Sequence, residues 1–151
     1  MKSSEIFKHE EYDFSPWLAK QNKILADIIN EDVSLYKTEM KLGEFYIDIA
    51  VANNQRQIIP IENQFKTSDH IHLGKVITYA SLLNTDKVIW VADNFRNEHR
   101  NLINKMNFDL IMVTFDWELN SKGNYNLRVT CLSKKGMRTY GYNNIQLDAV
   151  S

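Results

Sequence analysis

The sequence has little of several features that mark special classes of protein. One cysteine among 151 residues excludes an internal disulfide and a cysteine-based zinc site. Cys131 alternates with Leu127 and Val129, so we expect it to be a small buried strand residue. No apolar run approaches the roughly 18 residues of a membrane span, and the start lacks the hydrophobic region of a signal peptide. These absences predict a soluble cytoplasmic protein without a membrane partner.

The chain also has no excess of charge of either sign. Its 18 basic and 19 acidic residues give a formal net charge of −1, so there is no global attraction to a polyanion. Any contact with nucleic acid must therefore come from a local basic patch. The densest group of cations near the C-terminus contains Lys122, Arg128, Lys134, Lys135 and Arg138. We expect Lys134, Lys135 and Arg138 to be the nucleic-acid-binding residues.

What remains is the composition of an ordinary globular protein. Hydrophobic residues make up 44% and charged residues 25%, and the length suits one domain over 1–151. We expect its core at about 14–115, followed by C-terminal strands and a tail over 116–151.

The most informative stretch runs from Leu42 to Gln64. Leu42-Gly43 is typical of a turn, and the apolar alternation after it predicts strands over 45–51 and 58–65. Successive side chains of a strand point to opposite faces. We therefore expect one shared core face, formed by Phe45, Ile47, Ile49, Val51, Ile59, Ile61 and Phe65.

The same alternation places Asp48, Glu62 and Gln64 on the other face of these strands. Two carboxylates brought together there repel each other unless a divalent cation lies between them. If Leu42-Gly43 is a two-residue hairpin loop, Lys37 lies opposite Asp48, and Glu39 is a diagonal neighbour on the Asp48 face. The pattern therefore predicts a small acidic site on adjacent strands.

Elements follow on both sides of this stretch. Their order, α-β-β-β-α-β-α-β-β, predicts an α/β protein with a mixed central sheet flanked by helices. The predicted elements are a helix from an N-cap at Ser15 with Pro16 to about Asn30, a strand over 32–40, a four-turn helix after 66–69, a buried strand over 88–92, a helix over 97–106, a buried strand over 110–115, an edge strand over 126–132, a basic loop over 134–138, and a segment with weak signals over 140–151.

The order of elements, with Asp48 on one strand and Glu62-Asn63-Gln64 on the next, resembles the PD-(D/E)XK nuclease superfamily and its restriction-endonuclease-like core (α-β-β-β-α-β). The resemblance covers 14 to about 115. A longer run is similar to a subgroup of uncharacterised bacterial members in which glutamine ends the signature: Ile61-Glu62-Asn63-Gln64, Thr67, Asp69-His70, His72-Leu73-Gly74 and Thr78-Tyr79-Ala80.

This resemblance implies metal-dependent hydrolysis of phosphodiesters, most often by a DNA endonuclease. Asp48, Glu62 and the main-chain carbonyl of Asn63 would bind Mg²⁺ or Mn²⁺, and Gln64 would orient the attacking water. Ile47 stands where the superfamily has its name-giving proline. Gln64 replaces the lysine, and an amide can hydrogen-bond but carries no positive charge.

Further residues are candidates for the same site. Glu39 and Glu11 are candidate additional acids, and Lys66 and Lys75 are the candidates to supply the missing cation. His70 is the histidine expected to face the acids or a phosphate. A zinc site at His70 and His72 is disfavoured, because side chains two positions apart on a helix diverge. His99 is expected on a solvated helix face.

Two functions remain open. One is a bacterial or phage endonuclease that forms a homodimer, since cutting both strands of a duplex requires two such sites. The alternative is a catalytically inactive protein with a nuclease fold that binds nucleic acid or a protein partner, with Gln64 as the trace of lost catalysis.

Overall fold

A computed structural model describes residues 1–147, so the end of the predicted tail, 148–151, lies outside the described residues. In this described part of the chain, seven strands form one mixed sheet in which the spatial order equals the chain order. Neighbouring strands are antiparallel, except that the third, fourth and fifth run parallel. The strands are β1 (Val33–Leu42), β2 (Phe45–Asn53), β3 (Ile58–Asn63), β4 (Lys87–Val91), β5 (Asp109–Leu119), β6 (Tyr125–Ser133) and β7 (Gly136–Ile145).

Helices cover both faces of the sheet, which confirms the predicted α/β class. The α-helices are α1 (Ser3–Ile6), α2 (Ser15–Ala19), α3 (Asn22–Ile29), α4 (His70–Leu83) and α5 (Asn97–Arg100). A π-helical turn at Glu10–Phe14 precedes α2, and a 3₁₀ turn at Ile103–Lys105 follows α5. Within 1–147, none of these helices is long and apolar enough to cross a membrane.

The larger hydrophobic core lies between the sheet and the N-terminal helices. Ile49, Val51, Ile59 and Ile61 are fully or almost fully buried there, as the alternation predicted. Phe45 is an exception, because it lies at the end of the hairpin and is 41% exposed.

A second apolar cluster lies beneath α4 and α5 on the opposite face, where Val76 of α4 packs with Trp90 and Met112 of the sheet. Ile47 joins Ala50 and Tyr79 in a third, smaller cluster instead of the main core. The face that carries Asp48 and Glu62 is therefore also covered, in agreement with the prediction of helices on both sides of the sheet.

The prediction of one helix from Ser15 to Asn30 is wrong. The helix breaks between α2 and α3, and the first of these continues directly from the π-helical turn. Ser15 consequently has helical backbone angles and is not an N-cap. Its hydroxyl instead bonds to Glu10 (3.2 Å) and accepts from the side chain of Asn63 (2.9 Å), which links the N-terminal segment to β3.

The predicted hairpin register is also wrong. Leu42 pairs with Phe45, so the two-residue loop is Gly43-Glu44, and glycine supplies the positive φ of 62° that such a turn needs. The correct register places Glu39, and not Lys37, at the level of Asp48.

The C-terminal region is more regular than predicted. Strand β6 is not the sheet edge, because β7 pairs along its length, and Lys134-Lys135 is the turn between them. The predicted helix over 97–106 is only α5 and the 3₁₀ turn. The last strand was missed because Gly136 and Gly141 interrupt a mostly polar run, whereas strand signals depend on apolar or β-branched alternation.

Candidate functional site

Asp48 and Glu62 are brought together by strand pairing. The register that joins Ile49 to Ile61 brings the two acids to the same level on the face beneath α4. One carboxylate oxygen of Asp48, Oδ2, accepts a hydrogen bond from the backbone N–H of Asn63 at 2.7 Å. The meeting of these two acids is therefore a consequence of the backbone and not of flexible side chains.

Glu62 is buried among charged and polar groups. It is 2% exposed, and within residues 1–147 its Oε1 has no hydrogen-bond partner. Its Oε2 lies 3.7 Å from Nζ of Lys75 and 3.7 Å from Nε2 of His72, both on α4. The hydroxyl of Tyr79, which donates to the backbone carbonyl of Tyr46 at 2.9 Å, lies beside it.

The two carboxylates resist ionisation. Burial raises the pKa of Glu62, and the neighbouring charge of Asp48 raises it further. Burial also raises the pKa of Asp48, although the hydrogen bond from Asn63 and the charge of Lys75 oppose this. A nearby cation would relieve both carboxylates.

An open cleft with a volume of about 320 Å³ leads to this pair. Two of the additional candidates, Glu11 and Lys75, lie in its wall. The lining residues are Glu10, Glu11, Glu44, Phe45, Tyr46, Asp48, Glu62 and Lys75.

Glu10 is the site residue that the sequence analysis missed. Burial and then the charge of Asp48 raise its pKa to about 7. The signal was the acidic pair just before α2, from which we named only Glu11. A π-helical turn brings both acids to the cleft, and it has no recognisable sequence pattern.

Glu39 lies at the level of Asp48 on β1. Its side chain is exposed, and its negative charge contributes to the raised pKa of Asp48. It is therefore an acid at the edge of the site, in a φ > 0 conformation of 47°.

Gln64 does not point into the cleft. It is 4% exposed, its Oε1 accepts from Nε1 of Trp90 at 2.9 Å, and its Nε2 donates to the backbone carbonyl of Thr67 at 3.0 Å. Both ends of the amide are used within the protein, so the predicted role of orienting water does not fit this geometry.

His72 and not His70 points toward the acids. Asp69 caps α4 by accepting the N–H of His72 at 2.8 Å, and its Oδ1 also lies 2.7 Å from Nδ1 of the same residue. His70 instead has its Nδ1 2.9 Å from Nε2 of His99. His99 is 1% exposed and bonds to Ser68 at 2.6 Å, so the prediction of a solvated His99 is wrong.

The remaining predicted cations lie away from the cleft. Lys66 does not line it, and its backbone N–H donates to Asp93 at 2.8 Å. Arg138 donates to the backbone carbonyls at the end of α3, and Lys134 donates to that of Met106.

Lys134 and Lys135 form the β6–β7 turn, and Arg138 lies on β7. Strand β7 is four strand spacings, or roughly 19 Å, from β3. The structure therefore separates the C-terminal basic group from the acids.

The donor set at Asp48 and Glu62 suits a hard divalent cation. Both supply carboxylate oxygens, and the buried Oε1 of Glu62 is an acceptor without a partner in the described chain. Within residues 1–147 no three carboxylate, imidazole or thiolate groups converge as a complete ligand set, so the fit rests on this pair.

Comparisons with known proteins support the fold. No protein-family model and no curated protein matches the sequence. Among solved structures, EndoMS in complex with double-stranded DNA is similar with a TM-score of 0.53 and 12% identity, over 65% of this chain and 43% of that one. The chain has a nuclease-like fold. A repair endonuclease from Pyrococcus abyssi also matches, with a TM-score of 0.49 and 15% identity, over 62% of this chain and 45% of that one. The matches span less than half the length of these proteins.

Proposed function

We propose that the protein is a metal-dependent nuclease of the PD-(D/E)XK type that hydrolyses phosphodiester bonds in DNA. The observation that carries this proposal is the pair Asp48 and Glu62, two acids held together on adjacent strands although burial and mutual repulsion oppose their charge. The fold shared with EndoMS, which was solved with double-stranded DNA, supports DNA as the substrate.

Asp48, Glu62 and the main-chain carbonyl of Asn63 would hold Mg²⁺ or Mn²⁺. The bound cation would act as a Lewis acid that polarises the phosphate and lowers the pKa of a water molecule. The fixed hydrogen bond from Asn63 to Asp48 orients one of these acids, so that the site is preorganised by the β2–β3 pairing.

Lys75 takes the place of the lysine that is absent at Gln64. Its ammonium lies 3.7 Å from Glu62 and in the wall of the cleft, where it can attract a phosphate and offset negative charge that develops during hydrolysis. Glu10 lies in the same cleft, and its pKa of about 7 suits it to accept a proton from water near neutral pH.

A second candidate is a protein that keeps the nuclease fold and binds nucleic acid or a protein partner without cleaving it. The orientation of Gln64 favours this alternative, because the position of the usual lysine is occupied by an amide fully engaged with Trp90 and Thr67.

Cleavage of supercoiled plasmid in Mn²⁺ distinguishes the two candidates. We expect the wild type to nick the plasmid and Asp48→Asn to lose at least about 100-fold in rate, because the change keeps the shape of the side chain and removes a charged ligand. The matched control is Asp116→Asn on β5, whose carboxylate pairs with Lys2 outside the cleft. It should retain wild-type activity.

Inactivity of both the wild type and Asp48→Asn, with plasmid binding retained in a gel-shift assay, would favour the binding protein. Linearisation by concerted double-strand cleavage would support the proposed homodimer, which light scattering of the free protein would test directly. The proposed cytoplasmic location and bacterial or phage origin require experiments in a source organism.

A further inference from the structure

We infer that His72 is a nitrogen ligand for the cation bound at Glu62, and that the site therefore prefers metals that accept imidazole over Mg²⁺. This inference rests on the proposed function, since it concerns the same site. It goes beyond the predicted ligand set, which consists of oxygen atoms alone.

The first step is the orientation of the imidazole. Asp69 is fixed as the N-cap of α4 and lies 2.7 Å from Nδ1 of His72. A carboxylate in this position accepts the Nδ1 hydrogen, so the neutral ring carries its lone pair on Nε2. A ligand histidine in a metal site almost always donates its other ring N–H to such a partner.

The second step is the direction in which Nε2 points. It lies 3.7 Å from Oε2 of Glu62 in a side chain that is only 21% exposed. Two ligand atoms each about 2.1 Å from one ion can be 3.7 Å apart at a wide ligand–metal–ligand angle. The carboxylate and the imidazole are therefore spaced to share a cation as a pair of ligands, since no third carboxylate, imidazole or thiolate converges with them within residues 1–147.

The third step explains why Gln64 is buried. Its Nε2 lies 3.5 Å from Oδ2 of Asp69, and its Oε1 is held by Trp90. The residues thus form a chain from Trp90 through Gln64 and Asp69 to His72. This gives Gln64 a place behind the ligands, where it supports the residue that orients the imidazole.

The chemical consequence is metal selectivity. Mg²⁺ prefers oxygen ligands and near-ideal octahedral geometry, whereas imidazole suits metals such as Co²⁺ and Zn²⁺ and is accepted by Mn²⁺ in mixed sites. Nζ of Lys75 lies near the same carboxylate oxygen and offsets part of the negative charge of Glu62 from the cleft side. We expect Mn²⁺ and Co²⁺ to bind more tightly than Mg²⁺.

Pulsed electron paramagnetic resonance of Mn²⁺ bound to the untagged full chain tests the inference without relying on activity. The wild type should show coupling from a directly bound ¹⁴N nucleus, and His72→Gln should lose it. The control is His70→Gln, two positions away on the same helix and directed at His99. Calorimetry should show a Co²⁺ affinity about tenfold weaker in His72→Gln, with Mg²⁺ affinity changed much less.

Each outcome decides the matter. Mn²⁺ that binds to the wild type without ¹⁴N coupling would overturn the role of His72 and leave the proposed nuclease intact. Coupling that persists in His72→Gln would also overturn it. A wild type that binds neither Mn²⁺ nor Co²⁺ would overturn both proposals. The wild-type spectrum needs no variant, so the test holds even if His72→Gln folds poorly.

Discussion

Ile61 and Glu62 are neighbours in β3, and the two faces of that strand use burial in opposite ways. Ile61 is 0% exposed in the core beneath the N-terminal helices, and Glu62 is 2% exposed beneath α4. Burial of the first removes apolar surface from water and stabilises the fold. Burial of the second removes a carboxylate from water and leaves one oxygen without a partner. A buried residue that opposes folding is the better indicator of function.

The largest expected effect comes from the apolar face. Ile61→Ala should lower the free energy of unfolding by about 3 kcal/mol, because it removes buried methyl groups and leaves a cavity between the sheet and the helices. Urea denaturation measures this change. A loss below about 1 kcal/mol would show that this part of the core is loosely packed, contrary to the comparison.

A substitution of Glu62 on the other face should change the free energy of unfolding in the opposite direction. Glu62→Gln should raise the free energy of unfolding of the metal-free protein by about 1–2 kcal/mol at pH 8, because the folded wild type must keep the buried carboxyl protonated at a pH where the unfolded chain ionises it, and glutamine keeps the shape without this cost. The same change should abolish the Mn²⁺-dependent rise in melting temperature. The control is Glu118→Gln on an exposed part of β5, for which we expect a change within about 0.5 kcal/mol. Destabilisation by Glu62→Gln would contradict the argument.

The pH dependence of stability in EDTA should be no larger than the effect of Glu62→Gln. Raised carboxyl pKa values mean that the folded state holds protons more tightly than the unfolded chain, so stability is full below about pH 4 and is lost as pH rises. For Glu10 the loss is complete above its folded pKa of about 7, and for Glu62 it continues beyond that. We expect the wild type to lose roughly 1–2 kcal/mol between pH 5 and pH 8 relative to Glu62→Gln.

The wild type has to be compared with Glu62→Gln because the titration of His99 changes stability with pH in the opposite direction. Burial lowers the pKa of His99, and this makes the folded state more stable as pH rises through the ordinary range of histidine. That contribution is common to the wild type and Glu62→Gln and cancels in the difference. Urea denaturation at several pH values measures this difference. If the unfolding free energies of the wild type and Glu62→Gln changed in parallel with pH, a raised pKa of Glu62 would be contradicted.

Much of the fold could be predicted from the sequence because its central strands carry clear patterns, either period-two alternation or a continuous apolar run. The run from Val88 to Ala92 and the alternation through Ile49 and Ile61 identified the central strands and their core face. Strand pairing then brings Asp48 and Glu62 together, as the alternation indicated. The prediction that they bind a metal remains to be tested.

What could not be predicted depends on geometry that no local pattern specifies. The choice between Glu10 and Glu11 depends on a π-helical turn, and the choice between His70 and His72 depends on the rotation of α4 about its axis. Gln64 was assigned to the cleft from its position in the signature, but Trp90 on the neighbouring strand offers its indole N–H as a partner. The hairpin register changed by two residues because the loop is centred one position later.

The identity of strand order and chain order has a consequence for biosynthesis. Every strand pairs with the one made just before it, so the sheet can grow by adding one edge at a time as the polypeptide leaves the ribosome. Asp48, Glu62 and the helix that ends at Leu83 are all translated before the four strands that follow in the described chain. The contacts of the N-terminal segment form later, since Met1 donates a hydrogen bond to the backbone carbonyl of Trp117 on β5. A nascent chain therefore contains the acid pair of β2 and β3 before the N-terminal segment can pack against β5.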